Sequence, residues 1–203
     1  MPLPADIRSE VARKLEEYEG RLNHLYLDSV GKVTVGVGHL VASRAAIAAV
    51  PLYQAVNGVA TAQEATLAEK QADYDAVAAQ AVGFKASNYR KYTKLVMREP
   101  DIDALNLKHI DTFYGELSNA YRKSAGATMD FDAMPRSVQM ALFDMAFNLG
   151  VPKLVSVFQN FTKQIRAGNW KGAAEQCDRP QIGAARNQYV KGLLLAAAQA
   201  AAK

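Results

Sequence analysis

Ile7, Val11, Leu15 and Tyr18 recur at helical spacing with charged residues between them, and they predict a first helix. Gly20 follows directly and suits the residue just past a helix end. Glu19 therefore falls at the C-terminal end of that helix. The period then changes. Leu25-Tyr26-Leu27 and Val33-Thr34-Val35-Gly36-Val37-Gly38 are β-rich, and Asp28-Ser29-Val30-Gly31-Lys32 between them has turn composition. Alternation puts Val33, Val35 and Val37 on one face and Thr34, Gly36 and Gly38 on the other. The first face is apolar and core-facing. The second is bare backbone plus one hydroxyl, which suits close approach by a ligand. This is the one convincing sheet pattern, a small hairpin with room for a third short strand.

Helical patterning returns after His39. Thr61-Ala62-Gln63-Glu64 reads as a capping box, with Thr61 as N-cap, opening a helix that reaches at least Val82. Residues 84–130 are charged, helix-prone and broken at Pro100. Pro135 opens a strongly apolar helix to Asn148, with Gly150 as its stop. Pro152 starts another, carrying Val155, Phe158, Phe161 and Ile165. Asn169 is a suitable N-cap for a helix led by Trp170, and a final helix follows Gly183. The expected fold class is α+β, predominantly helical. No internal repeat or low-complexity linker interrupts it.

The chain has 203 residues, half of them hydrophobic, which is enough for one domain or two small lobes. No apolar run approaches the ~20 residues of a membrane span. The richest, Leu193 to Ala202, reads as the last helix of a soluble protein. The first ten residues lack the basic start and apolar core of a secretory signal, so synthesis in the cytoplasm is expected. Cys177 is the single cysteine and reads as a small buried hydrophobe. A net charge of +4 and a pI near 9.1 favour an anionic partner only mildly. Nucleic acid is not expected, because no arginine-rich run or recognised binding motif is present.

Breaking a glycosidic bond needs a proton donor for the leaving oxygen and a carboxylate opposite it, on different elements facing one site. Glu19 at a helix end and Asp28 at a turn meet that demand. The negative end of the helix dipole disfavours an ionised Glu19, which suits a proton donor. Asp28 in an open polar turn suits the ionised partner. Thr34 is placed to hydrogen-bond a water or a sugar hydroxyl. Spacing alone leaves a solvated surface pair as the more common alternative.

Glu19-Gly20, Tyr26-Leu27-Asp28 and Gly31-Lys32-Val33-Thr34-Val35-Gly36-Val37-Gly38-His39-Leu40 together resemble the signature of the phage T4-type lysozymes. Asp28 comes eight positions after Gly20 and Thr34 six after Asp28, as that pattern requires. Downstream, Ala141 to Gly150 resembles the family's central helix, ending in Phe147-Asn148-Leu149-Gly150. Phe158 to Phe161, Gly168-Asn169-Trp170 and Gly183 to Asn187 resemble the helices after it.

The resemblance implies a two-lobed lysozyme-like fold. A small α+β lobe would cover about 20–60, and a helical lobe 1–19 and 61–203, with a cleft between them. The chain is longer than the family over its middle, so an inserted helical subdomain is expected within 84–130. It would cover the cleft, bind wall polymer, dock a partner or simply add a packing layer. By resemblance Glu19 is the general acid, Asp28 the base or electrostatic partner, and Thr34 the residue that orients the attacking water. The family's substrate is bacterial peptidoglycan, cut at the β-1,4 bond between N-acetylmuramic acid and N-acetylglucosamine with inversion. Arg186 stands where the family carries an arginine paired with the glutamate; a surface arginine is the alternative. A monomer is expected, reaching the wall through a holin as an endolysin or by injection as an antibacterial effector. An immunity protein or secretion carrier is a further partner in the second case. A non-catalytic peptidoglycan-binding protein on the same fold is the rival reading.

The remaining candidates are weaker. His24, His39 and His109 have no metal-ligand spacing, so no metal and no cofactor are expected. His39 and Gly36 are expected near substrate, His39 in a structural hydrogen-bonding role. Tyr26 either lines the site and stacks on sugar or belongs to the core. Asn148 either reaches substrate or caps its helix. Phe143, Phe147, Phe158, Phe161 and Trp170 read as core. Cys177 lacks a context for activation, and no Gly-x-Ser-x-Gly is present.

Overall fold

The computed structural model describes residues 3–202. The chain is α+β and about 60% helical, with two small antiparallel sheets. It divides into two compact units, Leu15–Lys108 and Met1–Lys14 with His109–Lys203. The division falls inside two helices, α1 (Ala5–Glu19) and α3 (Glu99–Ala120).

The unit Leu15–Lys108 holds both sheets. α1 buries Ile7, Val11 and Leu15 at helical spacing and stops at Gly20, whose φ of +77° and N–H bond to the Glu16 carbonyl (2.9 Å) form the expected C-terminal cap. β1 (Leu22–Leu27), β2 (Val33–Gly36) and β3 (His39–Leu40) make the first sheet, in that order. Tyr26 pairs with Thr34 and Leu27 with Val33. β2 is shorter than the valine-glycine run suggests. Gly36 and Gly38 both take φ +66°, which ends the strand and turns the chain into β3.

A second sheet was not expected. β4 (Tyr53–Val56) pairs with β5 (Val59–Glu64) and with β6 (Leu95–Val96). Thr61 and Glu64 therefore lie in a strand and cap no helix. The reason is local: Asn57 and Gly58 have φ of +51° and +82°, the pair of positive values that a tight hairpin turn requires. The true capping box is Thr66 and Glu69. The Thr66 hydroxyl accepts from Glu69 N–H (3.3 Å) and the Glu69 carboxylate accepts from Thr66 N–H (2.8 Å). It opens α2 (Leu67–Ala78), which ends short of Val82.

Residues 84–108 belong to this unit and are not all helical. They form a 3₁₀ stretch, Ala86–Tyr92, then β6, then the start of α3. Buried Asp73 on α2 accepts from the backbone N–H groups of Lys94 and Leu95, tying helix to strand. Met97 N–H donates to the Asn23 carbonyl (2.7 Å), which joins the end of β6 to β1. The His24 ring sits between Asn23 Oδ1 and the Ala86 carbonyl, and burial lowers its pKa.

The second unit is helical. α4 (Arg136–Leu149) is apolar almost all round and buried along Val138 to Ala146, as its sequence predicts. α8 (Ala184–Ala201) packs on it, and α5 (Val151–Val157), α6 (Gln159–Arg166) and α7 (Trp170–Glu175) complete the bundle. Phe158 leaves helical geometry (ψ +52°), so the helix expected from Pro152 is split into α5 and α6. Asn169 caps α7 by accepting from Gly172 N–H (3.0 Å). Phe143, Phe161 and Trp170 are core; Phe147 and Phe158 are half-buried. Cys177 is fully buried, and burial raises its thiol pKa. No single helix is long and apolar enough to cross a membrane.

Candidate active site

Glu19, Tyr26, Asp28, Thr34, Gly36 and His39 all lie in the unit Leu15–Lys108. Glu19 is the last residue of α1 and is half-buried. Gly20 reverses the chain, so β1 starts within three residues of the glutamate. The helix end and the hairpin are thus one continuous local device.

Asp28 follows β1 and organises the turn. Its Oδ1 accepts from Val30 N–H (2.9 Å) and Lys32 N–H (2.8 Å), while its backbone exchanges bonds with Lys32 and Gly31. Oδ2 takes no bond among the described residues. Gly31 closes the turn at φ +80°, and a Cβ there would stand 3.0 Å from Val82 Cγ1. Glycine is needed twice over at this position, for its backbone angle and for its lack of a side chain.

The charges of both carboxylates act on Tyr26. Its ring is buried at 6% exposure, and its pKa is pushed up to about 12. Burial is the main cause, followed by the negative charges of Glu19 and then Asp28, with a Gly38 backbone hydrogen bond opposing them. One phenol therefore feels both acids. A ring this buried is not a stacking platform for sugar, so the core alternative holds.

Thr34 sits opposite Tyr26 and is only 4% exposed. Its hydroxyl donates to the Lys32 carbonyl (3.1 Å), which leaves the oxygen able to accept. The expected open glycine face is not open at Gly36. Ile102 and Leu105 of α3 lie 3.7 and 3.9 Å from where its Cβ would be. The glycine there meets its backbone angle and leaves room for the approach of α3. His39 pairs with Val35 on β3 and is half-buried.

Arg186 and Asn148 lie in the helical unit. Arg186 is 8% exposed, which excludes the surface-arginine alternative, and its Nε donates to Asp144 Oδ2 (2.9 Å). Asn148 Oδ1 is buried and accepts no bond among the described residues. The sequence reading missed Arg179. Its guanidinium is fully buried, 2.8 Å from Asp144 Oδ1, so one carboxylate is shared by two buried arginines. Asn187 clamps Arg179, accepting from its N–H and Nε and donating to its carbonyl. A buried arginine in the loop before Pro180 carries no periodic signal; only the acid on apolar α4 hinted that a cation must be near.

Among the described residues, no group of three His, Cys, Asp or Glu is arranged to hold a metal ion. The arrangement offers two carboxylates on neighbouring elements, a buried neutral phenol on which both charges act, and a hydroxyl acceptor on the adjoining strand. That is the equipment of acid–base chemistry on an ether-like bond. No family model and no curated protein matches the chain.

Proposed function

We propose that the chain is a peptidoglycan glycosidase, cutting the β-1,4 bond between N-acetylmuramic acid and N-acetylglucosamine. What supports the reading is that Glu19, Asp28 and Thr34 lie on successive elements, α1, the β1–β2 turn and β2, and that both acids bear electrostatically on the buried Tyr26 phenol beside them in the sequence. Glu19 gives its proton to the leaving oxygen. Asp28, oriented by two backbone N–H groups, acts on a water with Oδ2. Thr34 accepts a hydrogen bond from that water. Water attacks the anomeric carbon from the opposite face, so the configuration inverts. The α+β chain is then a lysozyme-like fold, with the sheet-bearing unit as its small lobe and the helical unit as its large one.

The test is Glu19→Gln against purified sacculi, with turbidity and mass spectrometry of the released fragments. Wild type clears the suspension and gives reducing muramic acid ends. Glu19→Gln slows clearing by about 10²–10⁴-fold, with an unchanged circular dichroism spectrum. Clearing at the wild-type rate by the variant, or peptides released in place of reducing sugar ends, overturns the proposal.

A further inference from the structure

The helical unit contains a groove of about 510 Å³ between the loop that includes Thr128 and the α6 helix. Its walls are held by backbone bonds. Thr128 N–H donates to the Arg166 carbonyl (2.8 Å), and Arg166 Nη2 donates to the Ala120 carbonyl (3.1 Å) at the end of α3. Thr162 lies in the floor at 4% exposure, in hydrogen-bond contact with the Tyr121 hydroxyl and the Leu154 carbonyl. Gln159 and Lys163 line the groove beside them.

The chemistry of this lining is one-sided. It holds a guanidinium, an ammonium, an amide and two hydroxyls, and no carboxylate. Neither Lys163 nor Arg166 pairs with an acid among the described residues. The Arg166 Nε is buried and bonded to nothing among them. Lys163 and Arg166 stand three positions apart on α6, beside two hydroxyls and an amide, and no acid of the lining offsets their charge. Outside the lining, Arg122 and Lys123 are exposed on the turn leading into the loop, where Asp130 accepts from the Lys123 N–H (2.8 Å) and leaves that turn one net positive charge.

We propose that this groove binds a phosphate group. A phosphate accepts from several directions at once, which matches donors converging from a loop and a helix. A guanidinium fork with a point-charged ammonium is the usual pair for it. The group is either free phosphate or a phosphodiester of an anionic polymer. The site owes nothing to the glycosidase reading, and binding is measured without any activity.

The experiment is an amide-shift titration of the ¹⁵N-labelled full chain at constant ionic strength. The probes are inorganic phosphate, poly(glycerol phosphate), acetate and chloride. Phosphate is expected to give saturable shifts at Thr128, Lys163 and Arg166. Lys163→Glu, a change at an exposed position, weakens it about tenfold. Tighter binding of poly(glycerol phosphate) assigns the groove to a phosphodiester polymer; tighter binding of inorganic phosphate assigns it to the free ion. Equal shifts with acetate or chloride, or unchanged affinity in Lys163→Glu, overturn the proposal.

Discussion

Asp144→Asn should destabilise the helical unit severely. Asp144 is 5% exposed and faces Arg179 (2.8 Å) and Arg186 (2.9 Å), both buried. The amide keeps the volume of the side chain but withdraws a negative charge that both guanidiniums face. Removing one partner of a buried ion pair costs about 3–5 kcal/mol, because the remaining charge stays buried without compensation. For a chain of this size 1 kcal/mol moves Tm by about 2–4 °C, so the expected loss is about 6–20 °C. The assay is thermal unfolding followed by circular dichroism, with Asp75→Asn as the control. Asp75 also bonds an arginine, Arg44 (2.9 Å), but both side chains are more than half exposed, and such a pair contributes about 0–1 kcal/mol. The double variant Asp144→Asn/Arg179→Met should recover part of the loss, since it removes the fully buried cation that Asp144 compensates. A Tm change for Asp144→Asn no larger than that for Asp75→Asn would refute the reasoning.

Gly31→Ala should cost about 1–2 kcal/mol in urea unfolding, from a left-handed φ of +80° on a residue with a Cβ, plus the 3.0 Å approach to Val82. Adding Val82→Ala should relieve only the second part; full recovery in the double variant would show that the backbone angle is not strained. His24 is buried with a lowered pKa, so the unfolded chain binds its proton more readily than the folded one. Its contribution is whole above the unfolded value of about 6.5 and is lost as the pH falls through the lower folded value. Unfolding free energy should therefore drop between about pH 7 and pH 5 less steeply in His24→Gln than in wild type; parallel profiles would count against the burial argument.

Elements with one strong local signal were legible in the sequence. α1 with its glycine stop, the hairpin around Asp28, apolar α4 and the Asn169 cap all formed where their own residues direct. The second sheet was hidden because two competing patterns overlap. Thr61 to Glu64 and Thr66 to Glu69 share the same capping-box spelling, and only the Asn57-Gly58 turn decides that the first is a strand. The placement of Glu19, Asp28 and Thr34 on consecutive elements of one unit was legible because each element has its own local signal. What long-range packing adds was not: Ile102 and Leu105 close the face at Gly36, and Arg179 reaches Asp144 across 35 positions of sequence.

The turn at Asp28 has a consequence for anyone comparing this chain with its descendants. The same Oδ1 that orients the carboxylate also holds Val30 and Lys32 in place. An asparagine could make those bonds as well, whereas an alanine would loosen the whole hairpin. Any sequence that keeps this hairpin is therefore obliged to keep Asp or Asn there, whether or not it needs the charge. The presence of either at this position in a diverged sequence testifies to the hairpin, and a switch from Asp to Asn is the mark of a turn retained after its charge has become dispensable.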